Sequence, residues 1–229
     1  AEVSVAFRYH ASLNPNAHMR DLISIEDVLT SPMVAYPLRR LNCCLISDGG
    51  AAAVLTRADR VQGLRQPPVY VWGYGEGLTH ADLTAALSLS TCEGAVLSGR
   101  QAFGSAGITP KHIQVAGIYD CFSITPIILL EDLGFCPKGE GGGFVQDGGI
   151  RLGGRLPVNT GGGLLSHGQP AMTGGFLIDL EVVLQVQGRC GARQVPGVEF
   201  GLSHNNGGTL GCETTMIFSR ERPQARRAR

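Results

Sequence analysis

The run from Asn159 to Gly175, NTGGGLLSHGQPAMTGG, constrains the fold more than any other stretch of this chain. Three successive glycines at 161 to 163 let the backbone take positive φ and bring N–H groups close to a ligand with no Cβ in the way. Ser166, His167 and Gln169 follow, and Thr173 stands ahead of the apolar run Phe176 to Leu184. The pattern predicts a helix beginning near 172–175, its N-terminus pointing amide donors and partial positive charge back at the loop. The segment reads as an active-site loop; on these residues alone the alternative is a glycine-rich connection between a strand and a helix.

Glycine, at 33 of 229 residues, is enriched and concentrated in the second half, which implies tight turns and close backbone approaches and favours a ligand site over a plain scaffold. With 43% hydrophobic and 17% charged residues the chain is an ordinary globular mixture, large enough for one large or two small domains. Nineteen basic and nineteen acidic residues cancel, so no net field draws nucleic acid or an anionic membrane. No apolar run approaches the roughly 20 residues that cross a bilayer, and no signal-peptide pattern opens the chain. A cytoplasmic protein is expected. Seven cysteines, odd in number and without C-x-x-C, read as free buried thiols, with no disulfide and no metal site. The chain opens at Ala1 in a strand-like alternation with no leader, as though begun in the middle of a longer protein.

Residues 3 to 9 alternate as a strand does, and the S-x-x-D spacing of Ser24 and Asp27 predicts a capped short helix. AAAVLT after Asp48-Gly49-Gly50 and VYVWGYG at 69–75 are expected as strands. From Thr79 to Gly107 the pattern is helical, with Gly104 and Gly107 as stop signals; IQVAGI at 113–118 is a short buried strand, and a helix with Pro126 in its first turn spans 124–134. Residues 139–163 read as a long loop, 173–189 as a helix, and 195–203 and 212–219 as the last strands. This order argues for α/β layers, with polar groups at strand ends where open sheets place their sites. The tail RERPQARRAR reads as a solvated, frayed end.

Three polar clusters stand out: YDC at 119–121, SHGQP at 166–170 and SHNNGG at 203–208. Together they offer a phenol (Tyr119), a thiol (Cys121), two imidazoles (His167, His204), amides (Gln169, Asn205) and glycine N–H donors, an inventory suited to acid/base chemistry beside an oxyanion hole. A cysteine beside a phenylalanine is also, more often, a small core hydrophobe. His10, His18, His80 and His112 carry no motif and are expected in solvent.

In order and spacing these clusters resemble the C-terminal half of the thiolase superfamily, in its sterol-carrier and lipid-transfer-protein branch, acetyl-CoA acetyltransferases being near kin. Residues 12–38 look like the branch's segment ahead of its "DGAAA" strand, here DGGAAAV at 48–54; YDCF at 119–122 falls on its HDCF motif, NTGGGLLSHGQP on N-x-x-GG…GHP, and HNNGG at 204–208 on HN-x-G. The resemblance spans nearly the whole chain. It implies a thiolase-like α/β fold in which residues 1–78 are the remnant of the loop domain and the last strands of the N-terminal half, residues 79–219 the C-terminal domain, and 220–229 a flexible basic tail. In the family a nucleophilic cysteine on the N-terminal half takes an acyl group from coenzyme A, so the resemblance implies either a fragment or a homo-oligomer or second chain that supplies that half.

Departures from the family pattern bear on mechanism. Gln169 stands at the GHP histidine and cannot shuttle a proton, which counts against thiolysis. Tyr119 stands at the asparagine of the ordinary NEAF motif; its phenol either hydrogen-bonds a carbonyl oxygen or, with a lowered pKa, acts as a base. Aldolases of the branch that cleave β-hydroxyacyl-CoA steroid side chains, in complex with a small acyl-CoA-binding partner, likewise carry tyrosine in this motif. Cys121 falls where the branch has a cysteine proposed to replace the C-x-G thiol, whose own position is Asn205. The resemblance therefore implies an enolate beside a thioester, with Tyr119, Cys121, Gln169 and His204 as catalytic residues and Asp120, His167, Asn205, Gly207 and Gly208 lining the substrate. The coenzyme A thioester is the substrate and no bound cofactor is expected. Retro-aldol cleavage of a β-hydroxyacyl-CoA leads; the alternatives are a 3-oxoacyl-CoA thiolase and a non-catalytic acyl-CoA- or lipid-binding subunit.

Overall fold

A computed structural model describes residues 1–222. The chain opens with α1 (Glu2–Ser12), not a strand. Val3, Ala6, Phe7, His10 and Ala11 are its buried side, the i, i+3, i+4, i+7, i+8 spacing of a helix face, whereas Tyr9, which the alternating reading puts inside, is 39% exposed. Val3 and Phe7 satisfy both periods, and packing decides for the helix. The capped helix is α2 (Ile25–Thr30): Ser24 Oγ accepts from Asp27 N at 3.1 Å and Asp27 Oδ2 accepts from Ser24 N at 2.7 Å. A small hairpin, β1 (Met33–Ala35) and β2 (Leu38–Arg39), follows.

The body is a four-stranded mixed sheet in the order β3-β6-β5-β4, built from β3 (Tyr70–Leu78), β4 (Val115–Ile118), β5 (Phe200–Gly207) and β6 (Cys212–Ser219). Only β4 and β5 are parallel. On one face lies α3 (Glu93–Ala106), ended by Gly107 in the left-handed conformation. Gly73, Gly75 and Gly77 let it lie directly on β3: a Cβ at any of them would strike the backbone oxygen of Ala102, Ser98 or Gly94. The outward N–H groups of this edge strand are covered, Tyr74 N by Ser105 Oγ at 3.1 Å and Glu76 N by Gln101 Oε1 at 3.1 Å. On the opposite face lies α7 (Thr173–Gln187), whose Ile178 and Val182 pack on Gly117 and Gly201. Between them in sequence come α4 (Thr125–Asp132), α5 (Gly141–Val145) and α6 (Gly163–Ser166).

Several expectations move. VYVWGYG is β3, and it pairs antiparallel along β6, in the same sheet as the segments that follow. AAAVLT forms no strand: nothing among the described residues offers it an edge, and Val54 and Leu55 are 97% and 84% exposed. The helix expected from Thr79 begins only at Glu93, because Asp82 and Ser88 side chains bond the backbone N–H groups of Thr84 and Ser90 and hold turns instead. Part of the 139–163 loop is helical, as α5. β5 starts at Phe200 because Pro196-Gly197, with Gly197 at φ 66°, turns the chain first, and it runs through Gly207, so SHNNG is strand, not a flanking turn. The tail from residue 223 lies outside the described residues. No helix among the described residues is long and apolar enough to cross a membrane.

Candidate active site

Side chains alternate across the sheet, and that alternation sorts the expected site residues. Gly117 and Gly201 face α7, so Tyr119 on the end of β4, and Ser203 and Asn205 on β5, belong to the α7 side; Ile118 and His204, paired in register, face α3. Tyr119 N donates to His204 O at 3.0 Å, which extends the parallel ladder by one residue. Segment 42–47 runs beside this end of the sheet: Ser123 N donates to Asn42 O and Cys44 N to Cys121 O, both at 2.9 Å, and Leu45 N donates to Leu164 O at 3.1 Å. Gln169 N donates to Ser47 Oγ at 2.8 Å, so the glycine-rich loop is clamped to the same segment.

The structure brings Tyr119 and Gln169 together. Gln169 Nε2 donates to the Tyr119 phenol oxygen at 2.7 Å. Burial raises the phenol pKa, and the bond from Gln169 offsets this only in part. The phenol is thus neutral at neutral pH, its oxygen already accepting, its hydrogen available to donate to a ligand oxygen. Of the two roles left open by the sequence, this geometry suits the donor and not the base. The other amide atom, Gln169 Oε1, is buried with no partner and lies against Gly174, where a Cβ would overlap it. Gly174→Ala is therefore expected to push the Gln169 amide off the phenol. The Tyr119 absorbance titration should move upward in that variant, since the bond that lowers its pKa is lost.

Cys121 is half-buried, its Sγ 3.6 Å from Thr125 Oγ1, and burial raises its pKa, so it is a thiol and no base at neutral pH. Asp120, expected against substrate, is fully buried: its two oxygens accept from Leu164 N at 2.8 Å and Leu165 N at 3.1 Å. It shapes the glycine-rich loop, and Gly163, at φ 61°, leaves room for it. His204, expected as an oxyanion donor, is fully buried on the α3 side with Nδ1 2.9 Å from Thr215 Oγ1 and Nε2 2.9 Å from Glu213 Oε2, an ion pair when the imidazole is protonated; strand alternation turns it away from Tyr119. Asn205 Nδ2 donates to Asp179 Oδ1 at 2.7 Å across to α7. Gly207 pairs with Cys212 at the end of the β5–β6 ladder, and Gly208, at φ 62°, is in the exposed turn. His167, with Asn14, His18, Asp48 and Leu180, lines a cleft of about 630 Å³ between α7 and segment 47–51. Its pKa is lowered by burial, which keeps the imidazole neutral.

Sequence reading placed His10 in solvent, whereas it is fully buried: Leu152 N donates to Nε2 at 3.1 Å, so Nδ1 carries the proton toward Asn159 O at 3.2 Å. Burial lowers its pKa to about 4, while burial raises that of Asp120 to about 7. The signs are opposite. His10 contributes stability above its unfolded value near 6.5 that is lost as pH falls toward 4; Asp120 contributes stability below about 4 that is lost as pH rises toward 7. Urea unfolding between pH 4 and 7 should show stability falling with rising pH in His10→Gln and rising with pH in Asp120→Asn, the wild type lying flatter than either. Sequence reading also passed over Arg8, whose Nε donates to Ser166 Oγ at 3.0 Å, and Ser47 and Cys44 beside the pair. No periodicity marks them.

All seven cysteines are free, and no group of three His, Cys, Asp or Glu among the described residues is placed to hold a metal ion. The family described as thiolase C-terminal domain-like matches residues 75–220. An acetyl-CoA acetyltransferase of Methanothermobacter thermautotrophicus is 42% identical over 220 residues, covering 96% of this chain and 57% of that protein. The 17-hydroxy-3-oxo-4-pregnene-20-carboxyl-CoA lyase of Mycobacterium tuberculosis is 42% identical over 170 residues, 72% of this chain and 44% of that one. The solved structure of an Ltp2-ChsH2(DUF35) aldolase matches with a TM-score of 0.89 at 32% identity, over 97% of this chain and 58% of the other. The chain spans about half the length of the curated relatives it matches.

Proposed function

The chain belongs to the thiolase superfamily, in the sterol-carrier and lipid-transfer branch, and from that premise we propose that it acts on an acyl-CoA thioester by retro-aldol cleavage of a β-hydroxyacyl-CoA. The observation that carries this reading is the 2.7 Å bond from Gln169 Nε2 to the Tyr119 phenol oxygen. Retro-aldol cleavage removes the β-hydroxyl proton, breaks the Cα–Cβ bond and leaves the electron pair on the thioester enolate, whose oxygen takes up negative charge. A neutral phenol whose own oxygen is occupied by an amide donor is suited to hydrogen-bond that oxygen. Thiolysis instead asks for a proton shuttle, and Gln169 provides none. The general base is a group other than Tyr119 or Cys121, both of which burial keeps protonated. The relatives are named as an acetyltransferase, a CoA lyase and an aldolase, reactions that share carbon–carbon bond chemistry on or beside a thioester.

In this reading the coenzyme A thioester is substrate, no further cofactor takes part, and the protein is cytoplasmic. The half of the relatives that this chain does not match is supplied by a preceding segment, a second chain or another copy. Exposed apolar side chains on the segment beside the site, Ile46 at 99% and Val54 at 97%, are the surface such a half would cover. A small acyl-CoA-binding protein is the further partner.

The test incubates the protein, purified with whatever chains accompany it, with a β-hydroxyacyl-CoA, and follows release of a carbonyl fragment and a shortened acyl-CoA by mass spectrometry. Cleavage without added coenzyme A supports the reading. Turnover only of a 3-oxoacyl-CoA with added coenzyme A would establish thiolysis, and binding without turnover of either would establish a non-catalytic subunit.

A further inference from the structure

Segment 42–44 and residues 121–123 form a short antiparallel ladder that the reaction above does not use. Cys43 and Phe122 are bridged, with the hydrogen bonds from Ser123 N to Asn42 O and from Cys44 N to Cys121 O on either side, each 2.9 Å. That register sets Asn42 opposite Ser123 and Cys44 opposite Cys121. Opposite residues in an antiparallel pair share a face, with Cα atoms about 5.5 Å apart at such positions. The Asn42–Ser123 pair shows the face is shared here, since Asn42 Nδ2 donates to Ser123 Oγ at 3.0 Å. Two residues along the same face stand the two thiols, each partly accessible, and Cys121 is two residues from Tyr119. Cys43, one residue off, turns to the other face with Sγ 3.4 Å from Arg39 O.

We propose that Cys44 and Cys121 are a redox pair, closed to a disulfide by a hydroperoxide and reopened by a dithiol reductant, and that closure switches off the site at Tyr119. The Cα separation set by the ladder lies within the range a disulfide spans. In the closing step one sulfur, as thiolate, attacks the peroxide oxygen to give a sulfenic acid and an alcohol or water; the second sulfur displaces water from it. Two thiols and one hydroperoxide thus become one disulfide, one alcohol and one water, with two electrons moved to the peroxide. The bond requires the Cys121 side chain to rotate away from Thr125 Oγ1 and fixes segment 43–47 to the turn that carries Tyr119. Since Ser47 also holds the Gln169 backbone, the disulfide stiffens both members of the catalytic pair at once. Both thiols are held protonated by burial, that of Cys44 raised to about 11, so closure is slow at neutral pH and accelerates with alkali.

The effect on turnover rests on the retro-aldol reading, but the bond itself does not. The protein is treated with cumene hydroperoxide, alkylated, digested without reduction and mapped by mass spectrometry. A linked peptide pair containing Cys44 and Cys121, absent after dithiothreitol and absent in Cys44→Ser but present in Cys43→Ser, is the expected result. Recovery of both cysteines as alkylated thiols while cleavage activity persists would overturn the pairing. A linked pair with unchanged turnover of the β-hydroxyacyl-CoA would overturn the switch alone. Absence of turnover in the reduced protein would count against the retro-aldol reading and leave the linked pair to be scored by mass.

Discussion

Glu181→Ala is expected to lower the unfolding free energy by about 3–5 kcal/mol, the cost of leaving one partner of a buried ion pair uncompensated. Glu181 sits in the middle of α7 with 8% of its surface exposed, and Arg193, at 9%, reaches back to it: Nε to Oε1 at 2.9 Å and Nη2 to Oε2 at 3.1 Å. Thr160 Oγ1 donates to the same Oε1 at 2.8 Å, so the pair also holds the start of the glycine-rich loop. Gln185 continues the network, donating to Thr160 Oγ1 at 2.8 Å and to Arg193 O at 2.7 Å. Alanine removes the acceptor of four donors, Cys190 Sγ at 3.6 Å being the fourth, and strands a guanidinium in a protein interior. Replacing both charges, as in Glu181→Met with Arg193→Met, is expected to cost less than either alanine variant alone, because no buried charge then stands unpaired. Urea unfolding of the two single variants and the double variant checks this. A double variant no more stable than Glu181→Ala would show that the unpaired charge is not the source of the loss.

This network also shows what sequence alone could reveal. FLIDLEVVLQVQ was legible as a helix from its apolar run, but nothing in it said that Glu181 has a partner twelve residues on; that depends on the turn after Gly188, which is tertiary information. The alternating glycines of GYGEG were readable as a strand, and their purpose became clear only with α3 lying against them. α1 was misread because Val3 and Phe7 fit a period of two as well as one of 3.6, and a seven-residue window cannot separate these when its other members are ambivalent. The site divided similarly. Motif order located Tyr119, Gln169, Cys121, His204 and Asn205 near one another along the sheet's end, and the resemblance supplied roles for them. Which of them share a face is set by the pleat, and a shift of one residue along β4 or β5 inverts the answer. That is why Tyr119 and Gln169 meet whereas His204, one ladder position from Tyr119, is turned into the layer under α3.

Tyr119→Phe is expected to reduce kcat for β-hydroxyacyl-CoA cleavage by about 10²- to 10³-fold, with KM little changed, the usual consequence of deleting one preorganised donor to a developing oxyanion. The ring remains, so packing beside Cys121 and Cys44 is preserved and the loss reports the hydroxyl. Gln169 then separates a donor role for the phenol from a merely structural one. Gln169→Glu replaces an amide donor with a carboxylate acceptor, the phenol hydrogen turns toward it, and none is left for the enolate oxygen; activity should fall about as far as in Tyr119→Phe. As pH drops and the new carboxyl takes a proton, its O–H again donates to the phenol oxygen and cleavage should recover, giving a pH profile that rises toward acid where the wild type does not. Gln169→Leu, which neither donates nor accepts, should lie between wild type and Tyr119→Phe at all pH values, because the phenol keeps its hydrogen but loses the contact that aims it. Steady-state kinetics of the three variants from pH 5 to 8 is the measurement. Equal activity in Tyr119→Phe and wild type would remove the phenol from the mechanism, and a Gln169→Glu profile parallel to that of wild type would remove the hydrogen-bond direction on which the retro-aldol reading depends.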